Sequence, residues 1–202
     1  RRQRQMCIRD SVYADQNSAY MFGRINKYAN PLKGIDTRGI NTSRVKMMTR
    51  MFYAGRWPIK EIILNEFDTS NAEDMSEMFA VDPFGTVTDL PEPLNLTSFD
   101  TRKVTSMRSM FSGTYNEEID ISSFDTSNVT DLSYMFDDSK VKKVYAPVSL
   151  NTANVVDSTD LFHDAVNLIG GNGTAYSITN ASNLNYFKID APGNPGYFTQ
   201  KP

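Results

Sequence analysis

The single histidine, His163, stands in "LFHDA" with Asp160 and Asp164 beside it, a grouping from which metal sites and acid–base pairs are made. One histidine cannot build a His-rich centre, and no cysteine lies near it to act as a nucleophile, so His163 reads as a surface residue. The ten methionines could in principle form a copper site or a promiscuous groove. Eight of them fall in or beside one recurring apolar stripe, counting Met21, and this argues for core filling. The run Asp-Thr-Ser-Asn looks like the start of a calcium loop. It lacks the alternating oxygen ligands and the turn glycine that such a loop needs. "GGNG" (Gly170 to Gly173) has no following Lys and Ser/Thr to cradle a phosphate, and reads as a turn. Carboxylates that could pair for glycoside hydrolysis are scattered along the chain, and the recurrent ones occupy capping positions.

The elements that must position these residues come from a repeat. "INTSRVKMMTRMF", "FDTSNAEDMSEMF", "FDTRKVTSMRSMF", "FDTSNVTDLSYMF" and "LNTANVVDSTDLF" end at Phe52, Phe79, Phe111, Phe136 and Phe162. With Phe22, these closing phenylalanines lie 30, 27, 32, 25 and 26 residues apart. A period in the twenties predicts an α/β fold: a leucine-rich-repeat-like solenoid with parallel strands on one face and short helices on the other. Val129, Leu132, Met135 and Phe136 fall on a stripe about 120° wide at helical spacing, which predicts one buried helix face per repeat. Val45, Met48, Met51 and Phe52 fill the same slots, as do Ala72, Met75, Met78 and Phe79, and Val104, Met107, Met110 and Phe111. In the last copy Ser158 replaces an apolar residue, so that helix is expected to be looser or to cap the stack. Asn71, Asn128 and Asn154, each followed three residues later by an aspartate, predict N-caps for these helices.

Alternating runs between the motifs predict the strands: "GIDTRGI", "IKEIILNEF", "PLNLTSF", "EIDISSF" and "VKKVYAP". Ile35 and Thr37, Ile62 and Leu64, Leu94 and Leu96, and Ile119 and Ile121 point inward in this register. The outward row then reads Asp36, Ile63, Asn95, Asp120 and Tyr145. With Trp57, the only tryptophan, this row is the candidate ligand-binding surface.

Composition narrows the function. The chain has 202 residues, 40% hydrophobic and 22% charged, and no apolar run long enough to span a bilayer. A net charge of −3 without a basic stripe argues against nucleic acid. One cysteine, Cys7, rules out a disulfide framework, and a chain sturdy outside a cell without disulfides points to a bacterial source. Residues 1–11, "RRQRQMCIRDS", hold four arginines and that cysteine, share no pattern with the rest, and resemble translated sequencing-adapter read-through. Without residues 1–10 the net charge falls from −3 to −6. "AYMFGRINKYANP" carries only the tail of a unit, so the array is expected to begin part-way through. The expected organisation is a non-native or disordered segment at 1–11, the repeats at 12–169, and a C-terminal hairpin cap at 170–202.

The motif copies, "NLIGGNGTAY" (Asn167 to Tyr176) and "IDAPGNPGYFT" (Ile189 to Thr199), together resemble the BspA-like bacterial surface proteins. The resemblance runs from about Ala19 to Thr199. It implies a secreted or wall-attached protein, an adhesin or mucosal-surface binder, with no catalytic residues to carry over. The expectation is therefore a non-enzymatic extracellular module without cofactor or metal, monomeric within a longer multidomain chain. Its partner would be a host or bacterial surface protein or glycan, with no nucleic acid and no membrane insertion. The other function classes are a structural spacer on the cell surface and, with no residue constellation behind it, a glycan hydrolase.

Overall fold

The computed structural model describes residues 12–23, 34–54, 61–82, 90 and 94–201. Trp57 lies outside the described residues, as does the segment 1–11. The strands are short: β1 (Val12–Tyr13), β2 (Ile35–Asp36), β3 (Ile40–Asn41), β4 (Ile62–Ile63), β5 (Glu118–Asp120), β6 (Lys143–Ala146) and β7 (Thr199–Gln200). They form three small parallel sheets, β1–β3, β2–β4 and β5–β6–β7.

The expected α/β fold, a leucine-rich-repeat-like solenoid with short helices on one face, is overturned. Among the described residues there is no α-helix, only two three-residue 3-10 helices, Ile178–Asn180 and Leu184–Tyr186. The reason lies in where the motif's backbone N–H groups go. In a helix each would reach back four residues along its own segment. Instead Met48, Arg50, Phe52 and Ala54 donate to the carbonyls of Asp74, Ser76, Met78 and Ala80 in the next repeat, at 2.8, 2.9, 3.0 and 2.9 Å. Between these cross-repeat bonds the chain makes tight turns, with Met51 donating to Met48 at 3.1 Å and Tyr53 to Arg50 at 3.2 Å. Isolated parallel bridges run through Asn17, Met47, Asp74, Ser106, Asp131 and Asp157, holding each repeat in register on the next.

Each turn needs a residue with left-handed backbone two positions before the closing phenylalanine. Tyr20, Arg50, Glu77, Ser109, Tyr134 and Asp160 have φ of 61°, 54°, 54°, 53°, 59° and 50°. No L-residue in a right-handed helix adopts such angles, and each non-glycine placed there costs roughly 1–2 kcal/mol. The Ser109→Gly change is therefore expected to raise stability by up to about 1 kcal/mol, and Ser109→Val to lower it by about 1–2 kcal/mol. A helical segment would respond oppositely to the glycine, losing about half a kcal/mol. The sign of the shift in a urea melt decides between the two backbones.

The buried residues are those of the expected stripe. Val45, Met48, Met51, Phe52, Ala72, Met75, Met78, Phe79, Val104, Met107, Met110, Phe111, Val129, Leu132, Met135 and Phe136 are all fully buried. Stacking repeats in parallel puts like residues over one another. The closing phenylalanines from Phe22 to Phe162 form a column with centroid spacings of 5.4, 5.4, 6.0, 5.6 and 5.9 Å. Their rings lie within 17° of parallel, the offset-stacked arrangement that aromatic quadrupoles tolerate. Phe67, Phe99 and Phe124 form a second column at 6.1 and 6.4 Å.

The polar letters of the motif also act between repeats, which corrects the capping assignment. Asn71, Asn128 and Asn154 do not accept at a helix start. Each donates its Nδ2 to a carbonyl of the preceding repeat, those of Ser43, Arg102 and Ser127, at 2.8, 2.6 and 2.6 Å. Buried Thr101 donates its hydroxyl to the Asp125 carbonyl at 2.9 Å and accepts the Asp125 N–H at 2.8 Å. Thr69 and Thr126 make the same two-way clasp with Asp100 and Asn151. Asp74, Asp131 and Asp157 accept the N–H two residues on, at 2.7, 2.8 and 2.9 Å, and so close local turns.

The C-terminal segment is not a hairpin. Its strand β7 adds in parallel to β6, with Tyr145 opposite Thr199 and Ala146 opposite Gln200. Ala181 extends the inter-repeat ladder by accepting the Phe162 N–H at 2.7 Å. Tyr197 and Phe198 are fully buried against the end of the phenylalanine column, meeting Phe162 edge-on at 5.0 and 6.1 Å.

Candidate functional site

The outward row is brought together in two pieces. Pairing of β2 with β4 sets Asp36 beside Ile63, and the three-stranded sheet sets Asp120 beside Tyr145 and Tyr145 beside Thr199. Asn95 belongs to no strand. Its segment sits between the two pieces, because Ser98 Oγ reaches the Leu64 carbonyl at 3.5 Å and Ser123 Oγ the Leu96 carbonyl at 3.1 Å. The inward partners behave as expected, with Ile35, Thr37, Leu64, Leu94, Leu96, Ile119 and Ile121 buried and Ile62 half-buried.

Most polar groups of the row already have partners. Asp36 is paired with Arg38 at 2.6 Å, and hydrogen bonds from the Arg38 side chain and backbone hold its carboxyl below the usual range. Asn95 Oδ1 accepts from the Thr97 hydroxyl at 2.7 Å and its N–H at 3.1 Å. Burial alone would raise the Asp120 carboxyl, but bonds from Lys201 and Ser122 outweigh it and hold the group low. Tyr145 is half-buried, with the Lys143 ammonium 5.6 Å from its ring centroid. Thr199 and Lys201 complete this face, and they were missed because their approach depends on the chain crossing back after the last repeat.

His163 is half-buried and bridges two repeats, Nδ1 lying 2.8 Å from Asp137 Oδ1 and Nε2 3.9 Å from Asp164 Oδ2. The hydrogen bond with Asp137 raises the imidazole above its ordinary value, while burial raises the Asp137 carboxyl. Among the described residues no three His, Cys, Asp or Glu side chains are grouped to hold a metal ion.

A second cluster was invisible in the sequence. Arg50 lies between the rings of Tyr20 and Tyr53, 5.3 and 5.5 Å from their centroids, and pairs with Glu77 at 2.6 Å. Arg108 lies 4.6 Å over the ring of Tyr134 and donates to Ser133 Oγ at 2.7 Å. Apart from Arg50 against Tyr53, these contacts join residues 25 or more positions apart, so no local signal marks them.

Residues 16–84 and 81–192 match the family model described as "Mycoplasma protein of unknown function, DUF285". The chain belongs to the DUF285 family. No curated protein and no solved structure matches it. The two DUF285 spans overlap at residues 81–84, between the second motif copy, which ends at Phe79, and the third, which ends at Phe111. No helix among the described residues of this DUF285 chain is long and apolar enough to cross a membrane.

Proposed function

We propose that this DUF285 chain is a non-enzymatic, extracellular binding module of a bacterial surface protein, mediating adhesion to a protein or glycan. The observation that carries the reading is the registered row, in which Asp120, Tyr145 and Thr199 stand side by side across β5, β6 and β7. A regular outward column on a stacked scaffold suits an extended partner, and its aromatic member is the natural anchor. Membership in a family described from mycoplasmas supports a bacterial setting. The motif's likeness to BspA-like surface proteins supports placing the module outside the cell. The internal pairing of Asp36 with Arg38 and of Asp120 with Lys201 favours the second reading, a surface spacer whose charges are spent within the fold.

The two readings separate on arrays of glycans and extracellular-matrix proteins probed with the full chain. A binding module gives a saturable hit that Tyr145→Ala weakens about tenfold or more. Folded protein that is silent across both arrays supports the spacer. A hit that Tyr145→Ala leaves untouched removes the strand face from consideration.

A further inference from the structure

We propose that Arg108, Tyr134, Ser109 and Ser112 form a second recognition site, for a carboxylate-bearing sugar, on the phenylalanine-column side of the repeats. The first observation is the state of Arg108. Arg38, Arg50 and Arg102 are each held by a carboxylate at 2.6 Å. Arg108 is exposed and has no carboxylate within ion-pair distance among the described residues. Its contacts are the Ser133 hydroxyl at 2.7 Å and the Tyr134 ring at 4.6 Å. Ser133 in turn donates to Asp131 at 2.6 Å, and the Asp157 carboxylate interacts with the Arg108 charge through space without pairing with it.

A guanidinium stacked on a ring and tied by one N–H is pre-oriented, and its remaining donors keep the planar fork that binds a carboxylate through two parallel bonds. The second observation is the neighbourhood. Ser109 and Ser112 are half-buried in the adjoining turn, and neither hydroxyl has a hydrogen-bond partner among the described residues. Ser109 lies against repeat four, its N–H donating to the Ser133 carbonyl at 2.8 Å. The site therefore offers, among the described residues, one cation without an ion-pair partner and two hydroxyls without a hydrogen-bond partner.

That inventory selects among anionic ligands. A sulfated polysaccharide or an acidic peptide concentrates several charges and needs several free cations together, whereas Arg102 and Lys103 of the same repeat are tied to Asp100 and Asn71. A uronate or sialate carries a single carboxylate on a ring bearing hydroxyls, and matches one fork beside two serines. The site is independent of the strand face, because Tyr145 lies in β6.

Calorimetric titration of the full chain with trigalacturonate, its methyl ester, sialyllactose and lactose tests this. One or both acidic saccharides are expected to bind, and which of them does distinguishes a uronate from a sialate. The ester and lactose are expected to bind at least tenfold more weakly. Arg108→Ala is expected to cost about 10–100-fold in affinity, and Arg108→Lys most of that, since an ammonium has neither the fork nor the stack. Tyr145→Ala is expected to leave these affinities unchanged. Binding of the ester or lactose as tight as that of the acids, indifference to Arg108→Ala, or no binding of either acid overturns the site. Should Arg108→Ala fail to fold, the acid-against-ester comparison decides without it. Loss of this site in the titrations beside a Tyr145-dependent array hit would leave the strand face standing, so the two proposals fail separately.

Discussion

Replacing Phe111 with alanine is expected to destabilise the fold by about 3–5 kcal/mol, the largest effect of any single side chain here. Phe111 is fully buried in the middle of the aromatic column, its ring 6.0 Å from that of Phe79 and 5.6 Å from that of Phe136. Removing it opens a cavity that the flanking rings cannot fill, because each is held by its own backbone ladder to the neighbouring repeat. Repeats that touch only their neighbours divide where an interface fails, so the urea transition should also broaden or split. Phe22 is half-buried and stacks on Phe52 alone among the described phenylalanines, so Phe22→Ala should cost about half as much. A Phe111→Ala loss below about 1 kcal/mol, or one equal to that of Phe22→Ala, would show that the column is not what holds the repeats together.

Asp190→Ala is expected to release the C-terminal segment, at a cost of about 2–4 kcal/mol. The Asp190 carboxylate is buried and accepts from Asn172 N–H at 2.8 Å, Thr174 N–H at 3.0 Å, Thr174 Oγ1 at 2.7 Å and Gly196 N–H at 3.3 Å. It therefore knots "GGNGT" to "APGNPG", the two turns that close the end of the stack. Neither turn can shift easily: a Cβ on Gly170 would lie 2.3 Å from the Gly196 carbonyl oxygen, and one on Gly196 would lie 2.4 Å from that of Lys188.

The same knot has a pH dependence with a defined sign. Burial alone would raise the Asp190 carboxyl above 3.8, but the bonds from Thr174, Asn172 and Gly196 outweigh it and hold the folded value lower. A carboxyl lowered by folding contributes stability that is complete above its unfolded value and is lost as pH falls through the folded one. The difference in stability between wild type and Asp190→Ala should thus be constant near neutrality and shrink below about pH 3.8. Melts followed by tyrosine fluorescence across that range measure it. A difference that stays constant down to the acid transition would mean that the carboxylate's charge is not what ties the turns.

Particular residues show how far the chain could be read in one dimension. The identity of the core was legible: every residue of the stripe in the first four motif copies is buried, and Phe22, Phe52, Phe79, Phe111, Phe136 and Phe162 mark the register of the stack. The row from Asp36 to Tyr145 was legible as well, since alternation along an extended segment puts every second side chain outward whatever its neighbours do. The backbone of the motif was not. Apolar residues at i, i+3, i+6 and i+7 satisfy a helix, but they equally satisfy a chain of tight turns whose alternate N–H groups point sideways. Only the position of the next repeat decides which carbonyls those N–H groups find.

The left-handed residues were hidden for the same reason. Arg50, Glu77 and Tyr134 carry no glycine signal, and their strain is offset by bonds to a neighbour some 25 residues away or more. Asn71 and Asn128, with the aspartates three residues on, have the letters of a helix cap. Their amides donate backwards to Ser43 and Arg102 because the preceding repeat presents a carbonyl there. Arg108 over Tyr134 and Asp190 under Gly196 likewise belong to no local pattern. What the sequence by itself determined is which side chains are buried and how the repeats align, because both follow from the period of apolar residues. What only the tertiary structure decided is the partner of each polar group, since hydrogen bonds are directional and their acceptors here lie one repeat away.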